Sequence, residues 1–205
     1  MERVAVGDPI TYSVGLERLS DDIVTSRAFD DKMGAVVVAE TLRLLHGKSI
    51  KACVVGVATT QEEVGLRGAR TSAFGAECEL GIAIDVGHST DYPNSDKKKV
   101  GDFKLGGGPI ITRGCNINPM VEKLLFQVAK EQNIPYQVEG NPSATGTDAN
   151  SMQMTRAGMA TGLLSVPLRY MHTPNEVMSL SDLENTALLL AAFIEKLEPG
   201  MNWIP

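Results

Sequence analysis

Two apolar runs decide the fold: Ala52-Cys53-Val54-Val55-Gly56-Val57-Ala58 and Leu80-Gly81-Ile82-Ala83-Ile84-Asp85-Val86. Both are short, bounded by polar loops and without polar alternation, so both are expected as strands covered on both faces. A short helix is expected between them, over Ala69–Ala76. Upstream, Lys32–Leu45 carries Val36, Val37, Thr41 and Leu44 on one helical face and ends at His46-Gly47. Downstream, Val121, Leu124, Leu125 and Val128 recur at helical spacing within Asn118–Glu131. Pro135–Glu139 and Thr161–Val166 read as further strands, and Ser181-Asp182-Leu183-Glu184 as a capping box opening a last helix through Leu197. This alternation predicts an α/β fold with a mainly parallel central sheet flanked by helices.

The first 25 residues follow another grammar. Val4, Val6, Ile10, Tyr12 and Val14 nearly alternate, broken by Gly7-Asp8-Pro9 and Gly15, which predicts short strands joined by turns. The boundary is placed between residues 25 and 26.

With 205 residues, 43% of them hydrophobic, the chain can bury one sizeable core but not two large ones. Lys+Arg 19 minus Asp+Glu 25 gives −6, which argues against binding a phosphate backbone. The one basic run, Lys97-Lys98-Lys99, has no aromatic neighbours to stack bases and reads as a solvated loop. No apolar stretch nears the ~20 residues that span a bilayer, and no signal-peptide core follows Met1-Glu2-Arg3. Cys53, Cys78 and Cys115 form no CxxC pair. The expectation is a soluble, cytoplasmic protein without nucleic-acid or membrane partners.

Ligands of such sheets bind beyond the carboxyl ends of the strands, and acidic residues collect there. Glu62-Glu63 follow the first run, Asp85 closes the second, Asp30-Asp31 precede the first helix, and His172 follows the strand at 161–166. Individually each has a plainer reading: Asp30 as a helix cap, Glu62-Glu63 as a solvated pair, Asp148 as a turn residue. Asp85 within an apolar strand is harder to explain without a partner. Several carboxylates converging on one rim need a counter-charge, and a divalent metal supplies it. Carboxylate oxygen with imidazole nitrogen suits zinc, cobalt or manganese. Two such metals about 3.5–4 Å apart need a bridging carboxylate.

Five strings carry a resemblance: Arg27–Gly34 (RAFDDKMG), Thr60–Ala69 (TQEEVGLRGA), Ala83–Val86 (AIDV), Gly146–Ala149 (GTDA) and Pro167–Pro174 (PLRYMHTP). In order and spacing they resemble the glutamyl aminopeptidase/cellulase-M family of dinuclear metallopeptidases, which includes the tetrahedral aminopeptidases. The resemblance implies a zinc-exopeptidase-like catalytic domain over 26–205 and, over 1–25, a remnant of a β-rich inserted domain. It implies two divalent ions, zinc or cobalt. Asp30 would bridge them, held by an unusual peptide bond to Asp31. Glu63 and His172 would bind one ion, Asp85 the other, and Glu62 would be the general base. Asp148 would help position a peptide substrate. Arg169 and Tyr170 would support the ligands from behind.

The family resembled here has a further metal-binding His before its inserted domain, and this sequence carries no counterpart. His46 ends a helix, and His88 matches no family ligand. The second metal site is therefore expected to be impaired, and the chain to be a homo-oligomer or to need a complementary N-terminal chain. The function implied is removal of N-terminal residues from peptides. The alternatives are a truncated, inactive homologue or split-gene subunit and, less in keeping with one Trp and few aromatics, a glycoside hydrolase.

Overall fold

The computed structural model describes residues 3–205. Its elements in chain order are β1 (Glu17–Arg18), β2 (Ile23–Ser26), α1 (Phe29–Leu45), α2 (Arg67–Ala76), β3 (Leu80–His88), α3 (Lys97–Val100) and β4 (Ile110–Gly114). They continue through α4 (Pro119–Glu131), β5 (Gln137–Asn141), α5 (Asp148–Met152), β6 (Ala160–Arg169), β7 (Glu176–Ser179) and α6 (Leu180–Glu195).

The strands form one mixed sheet in the order β1-β2-β7-β6-β4-β5, with β3 also paired to β6. Its two longest ladders are parallel, β3 with β6 and β4 with β5. The shorter β4–β6, β6–β7, β2–β7 and β1–β2 pairings are antiparallel. The parallel character expected from the apolar runs thus holds for the sheet's central ladder. Tight returns such as the one joining β6 to β7 add antiparallel strands beside it, because a short loop can only reverse the chain.

Side-chain alternation divides the two faces of the sheet. Ile82, Ile84 and Val86 of β3, with Leu164, Val166 and Leu168 of β6, meet α1, α4 and α6 in the main core. Ala83 and Leu163 point the other way, to a smaller cluster with Ile117 and Ala149 of α5. Asp85 shares that second face by the same alternation.

Helix α4 begins where expected. The Asn118 carboxamide oxygen accepts from the N–H of Met120 and Val121, and Pro119 fills the first helical position. Val121, Leu125 and Val128 are buried there. In α1 the buried residues are Met33, Gly34, Val37, Thr41 and Leu45, whereas Val36 is exposed. The cap of α6 is Ser179, whose hydroxyl accepts from the Asp182 N–H. Ser181, the expected cap, instead bonds Asp22. The polar turn after β7 starts this helix a little earlier than the capping-box pattern suggests.

Two expectations differ. Ala52–Ala58 is not a strand: it lies beside α1 but pairs with no strand. An apolar run acquires a hydrogen-bond ladder only when a neighbour stands alongside, and here none does. Within residues 3–16 there is likewise no strand, and Val4, Val6, Ile10 and Tyr12 are exposed. The Gly-rich run 106–108 is held by the fully buried Asp182. Its two carboxylate oxygens accept from the N–H of Gly106 and Gly108, each at 2.7 Å.

Candidate metal centre

The site forms where three chain reversals meet at the carboxyl end of β3 and β6. The first is the entry to α1. Ala28 adopts a left-handed backbone, the Asp30–Asp31 peptide is cis, and Asp30 and Asp31 depart from helical geometry before α1 runs regularly. This entry separates the two acidic side chains. Asp31 turns back onto the helix, where its Oδ1 accepts from the Gly34 N–H at 2.9 Å. A Cβ at Gly34 would overlap the Asp31 carboxylate, so glycine there leaves that carboxylate in place. Asp30 turns into the site.

The second reversal is the loop 59–66, which brings Glu62 and Glu63. Gln61 and Leu66 are left-handed at either end of it. Gly68 lets the start of α2 approach the Thr60 backbone, whose carbonyl accepts from the Gly68 N–H at 2.8 Å. The third is the loop after β6, where Tyr170 and His172 are both left-handed. Non-glycine residues in this region cost free energy and tend to cluster where a fold holds a functional geometry. Here Ala28, Gln61, Tyr170 and His172 all flank or form the acidic site.

Asp30, Glu63 and His172 each offer one ligand atom, all within 4.8 Å of one another. Among the described residues they are the one group of that kind. His172 Nε2 stands 3.1 Å from Asp30 Oδ2. Glu62 is close enough to Asp85 to raise its proton affinity, and Asp148 raises that of both. Asp148 lies in the first turn of α5; its Oδ2 accepts from the Thr59 hydroxyl at 2.7 Å, and its buried Oδ1 has no partner.

The electrostatics are those of a crowded acid cluster. Burial, with repulsion from Glu63 and Glu176, raises Asp30 to about 6 despite the opposing His172. Burial and Asp85 raise Asp31 to about 8. Glu62 and Asp85 are each pushed up to about 7, chiefly by burial and then by neighbouring carboxylates. No Lys or Arg among the described residues forms an ion pair with any of these acids. Two carboxylates and an imidazole converging without a protein cation fit a divalent metal, and three protein ligands leave a coordination position open.

One contributor escaped the sequence reading. Glu176, at the start of β7 and only 2% exposed, accepts from the N–H of Asp30 (3.1 Å) and of His172 (3.3 Å). It stands in the four-residue strand Glu176-Val177-Met178-Ser179, too short to carry the apolar run that singled out Asp85. Arg169 and Tyr170 are each partnered by a residue of the segment after β3. The Arg169 guanidinium donates twice to Asp91, at 2.7 Å each, and the Tyr170 ring packs tilted against Tyr92 with centroids 5.0 Å apart. Burial would raise Asp91, but Arg169, Ser89 and the Leu105 N–H outweigh it and leave the carboxyl at about 2.

Comparison with known proteins gives the family and the fold. A family model described as M42 glutamyl aminopeptidase matches residues 1–189. A lysyl aminopeptidase of Pyrococcus furiosus is 41% identical over 194 residues, covering 95% of this chain and 54% of that protein. The structure of an aminopeptidase from the archaeon Desulfurococcus kamchatkensis superposes with a TM-score of 0.85 at 38% identity, covering 91% of this chain and 53% of the other. The TET1 peptidase of Pyrococcus horikoshii, described as able to assemble into a tetrahedron or a large octahedral shell, superposes with a TM-score of 0.77. It is 28% identical, with 91% and 54% of the two chains covered. The chain spans about half the length of the curated relatives it matches. No helix among the described residues is long and apolar enough to cross a membrane.

Proposed function

Since the chain belongs to the M42 glutamyl aminopeptidase family, we propose that it takes part in metal-dependent removal of N-terminal residues from peptides. The observation that carries this reading is the meeting of Asp30, Glu63 and His172 ligand atoms within 4.8 Å, beside a Glu62 raised to about 7. These three residues would hold one divalent ion, zinc or cobalt; Asp30 and Asp85 would hold a second. Bound there, such ions supply a Lewis acid that polarises the scissile carbonyl and acidifies water.

The protein's own groups account for the rest. Glu62, near neutrality and adjacent to a ligand rather than one itself, accepts a proton from the attacking water and returns it to the leaving amine nitrogen. Asp148 Oδ1, buried and unpartnered, is suited to accept a hydrogen bond from the peptide's N-terminal ammonium. Asp31 and Glu176 position Asp30 without touching substrate. On the same reading, residues 26–205 form the metallopeptidase unit, residues 1–25 are the remnant of a β-rich domain whose strands join the same sheet beside β7, and the protein assembles as a homo-oligomer, as its TET1 relative does.

The test is release of the first residue from unblocked peptides by the purified chain supplied with zinc or cobalt. Release that stops on chelation and returns with metal supports the proposal. No release at full metal loading supports a non-catalytic homologue.

A further inference from the structure

Past the carboxyl end of the β3–β6 ladder the two chains stay joined. The last ladder pair is His88 with Leu168, and the Ser89 N–H then donates to the Leu168 carbonyl at 2.9 Å. Beyond it side chains take over: Arg169 meets Asp91, and Tyr170 meets Tyr92. The stretches so joined carry Asp85, six residues before Asp91, and His172, three residues after Arg169. The closure therefore ties together two segments that lead to the acidic site.

Asp91 is the hub of this closure. Its Oδ1 accepts from the Ser89 hydroxyl at 2.8 Å and from Arg169 Nε at 2.7 Å. Its Oδ2 accepts from Arg169 Nη2 at 2.7 Å and from the Leu105 N–H at 3.1 Å. The Arg169 and Asp91 side chains are only 28% and 18% exposed. A bidentate guanidinium–carboxylate contact withdrawn from water fixes direction as well as distance, unlike the exposed single contact of Lys97 with Asp102. Leu105 adjoins Gly106 and Gly108, whose N–H groups the buried Asp182 of α6 holds. Asp91 is thus itself fastened to a segment that the core keeps in place.

The loop after β6 needs such fastening. Tyr170 and His172 are left-handed, at φ 60° and 62°, a conformation that residues other than glycine keep only where their surroundings enforce it. The His172 side chain is 67% exposed, so packing around the ring does little to aim it. Its direction is set by the backbone on either side. Glu176 holds the exit of the loop by accepting from the His172 N–H. Arg169 and Tyr170 form the entry, and both are held by the segment that carries Asp91. We infer that Asp91, acting through Arg169, is a positioning residue for His172 as a metal ligand, fixing the entry to its loop as Glu176 fixes the exit. The inference rests on the reading of His172 as a ligand; Asp91 itself lies outside the ligand group.

Zinc affinity of the intact chain, measured by competition with a chromophoric chelator, tests this without turnover. Asp91→Asn keeps the shape and removes the charge. Arg169→Lys keeps the charge and removes the fork, and it reads the same contact should the first variant fail to fold. Each should weaken zinc binding by about tenfold or more and change the visible bands of the cobalt-loaded chain, which follow coordination geometry. Because both act on one contact, the double variant should bind zinc no more weakly than the poorer of the two single variants. Zinc affinity unchanged in the variants, whatever happens to the urea midpoint, would make the pair a brace for the fold alone and overturn the inference. Losses that add in the double variant would overturn it too, since Asp91 would then not act through Arg169. No zinc uptake by the unaltered chain would remove the inference and the metal reading together, whereas uptake that the variants leave untouched removes the inference alone.

Discussion

Asp30 and His172 are joined twice. Their side chains stand 3.1 Å apart, and their backbone N–H groups donate to the two oxygens of one buried carboxylate, Glu176. The entry to α1 and the loop after β6 are thus held in register by one buried carboxylate. Outer partners of this kind fix the orientation of metal ligands. Replacing Glu176 by Gln keeps the shape but puts an amide N–H₂ opposite a backbone N–H. We expect zinc affinity to fall by about 10–100-fold, measured by competition with a chromophoric chelator. Unchanged affinity would mean that backbone packing alone positions the ligands.

Glu62 is the group placed to carry the proton. Glu62→Gln removes that capacity with little change in volume, so the rate of N-terminal release should fall by about 10²–10⁴-fold while metal content is retained. Paired rate and elemental measurements check both halves. Rate and metal lost together would instead make Glu62 a ligand.

Chelation separates the peptidase from the glycosidase reading. A two-carboxylate glycosidase needs no metal and should tolerate EDTA. We expect hydrolysis by this chain to be abolished by EDTA and restored by zinc or cobalt, followed on an aminoacyl anilide.

The acid cluster sets a pH dependence. Burial and mutual repulsion hold Asp30 at about 6, Glu62 and Asp85 at about 7 and Asp31 at about 8. In the unfolded chain these carboxyls titrate near pH ~4. Without metal, the folded chain therefore binds more protons than the unfolded one between those limits. Stability contributed by the protonated acids is present at the acidic end and lost as pH rises through the folded values. The Tm of metal-stripped protein should fall from pH 5 to pH 8, by scanning calorimetry. Saturating zinc should remove that fall, because metal binding favours the ionised carboxylates. A Tm that rises over this range without metal would contradict the crowding of these acids.

Gly34 makes room for the Asp31 carboxylate. Gly34→Ala forces that side chain off the Gly34 N–H. A stability loss of about 1–3 kcal/mol is expected for an overpacked site, visible as a lower urea midpoint together with weaker metal binding. The second readout distinguishes this from simple helix damage, since alanine otherwise favours a helix.

Much of the fold is legible in local pattern. The helical face of α4, the cap at Asn118 and the apolar β3 and β6 follow from spacing alone. The meeting of Asp30, Glu63 and His172 is also anticipated by their places at the ends of elements. Strands β4 and β7 were not legible, being short and lacking a periodic signature.

By itself, then, the sequence determined the long helices, the strands β3 and β6 and the acidic character of the rim, because side-chain periodicity and turn chemistry act over a few neighbouring residues. The tertiary structure decided which donor atoms meet, that Glu176 ties Asp30 to His172, and that Asp182 rather than the turn itself holds Gly106 and Gly108. It also decided that Ala52–Ala58, as apolar as β3, stays outside the sheet. The reason is the same in each case. A ladder, a ligand set or a buried acceptor is a relation between distant segments, and no segment carries its partner in its own composition.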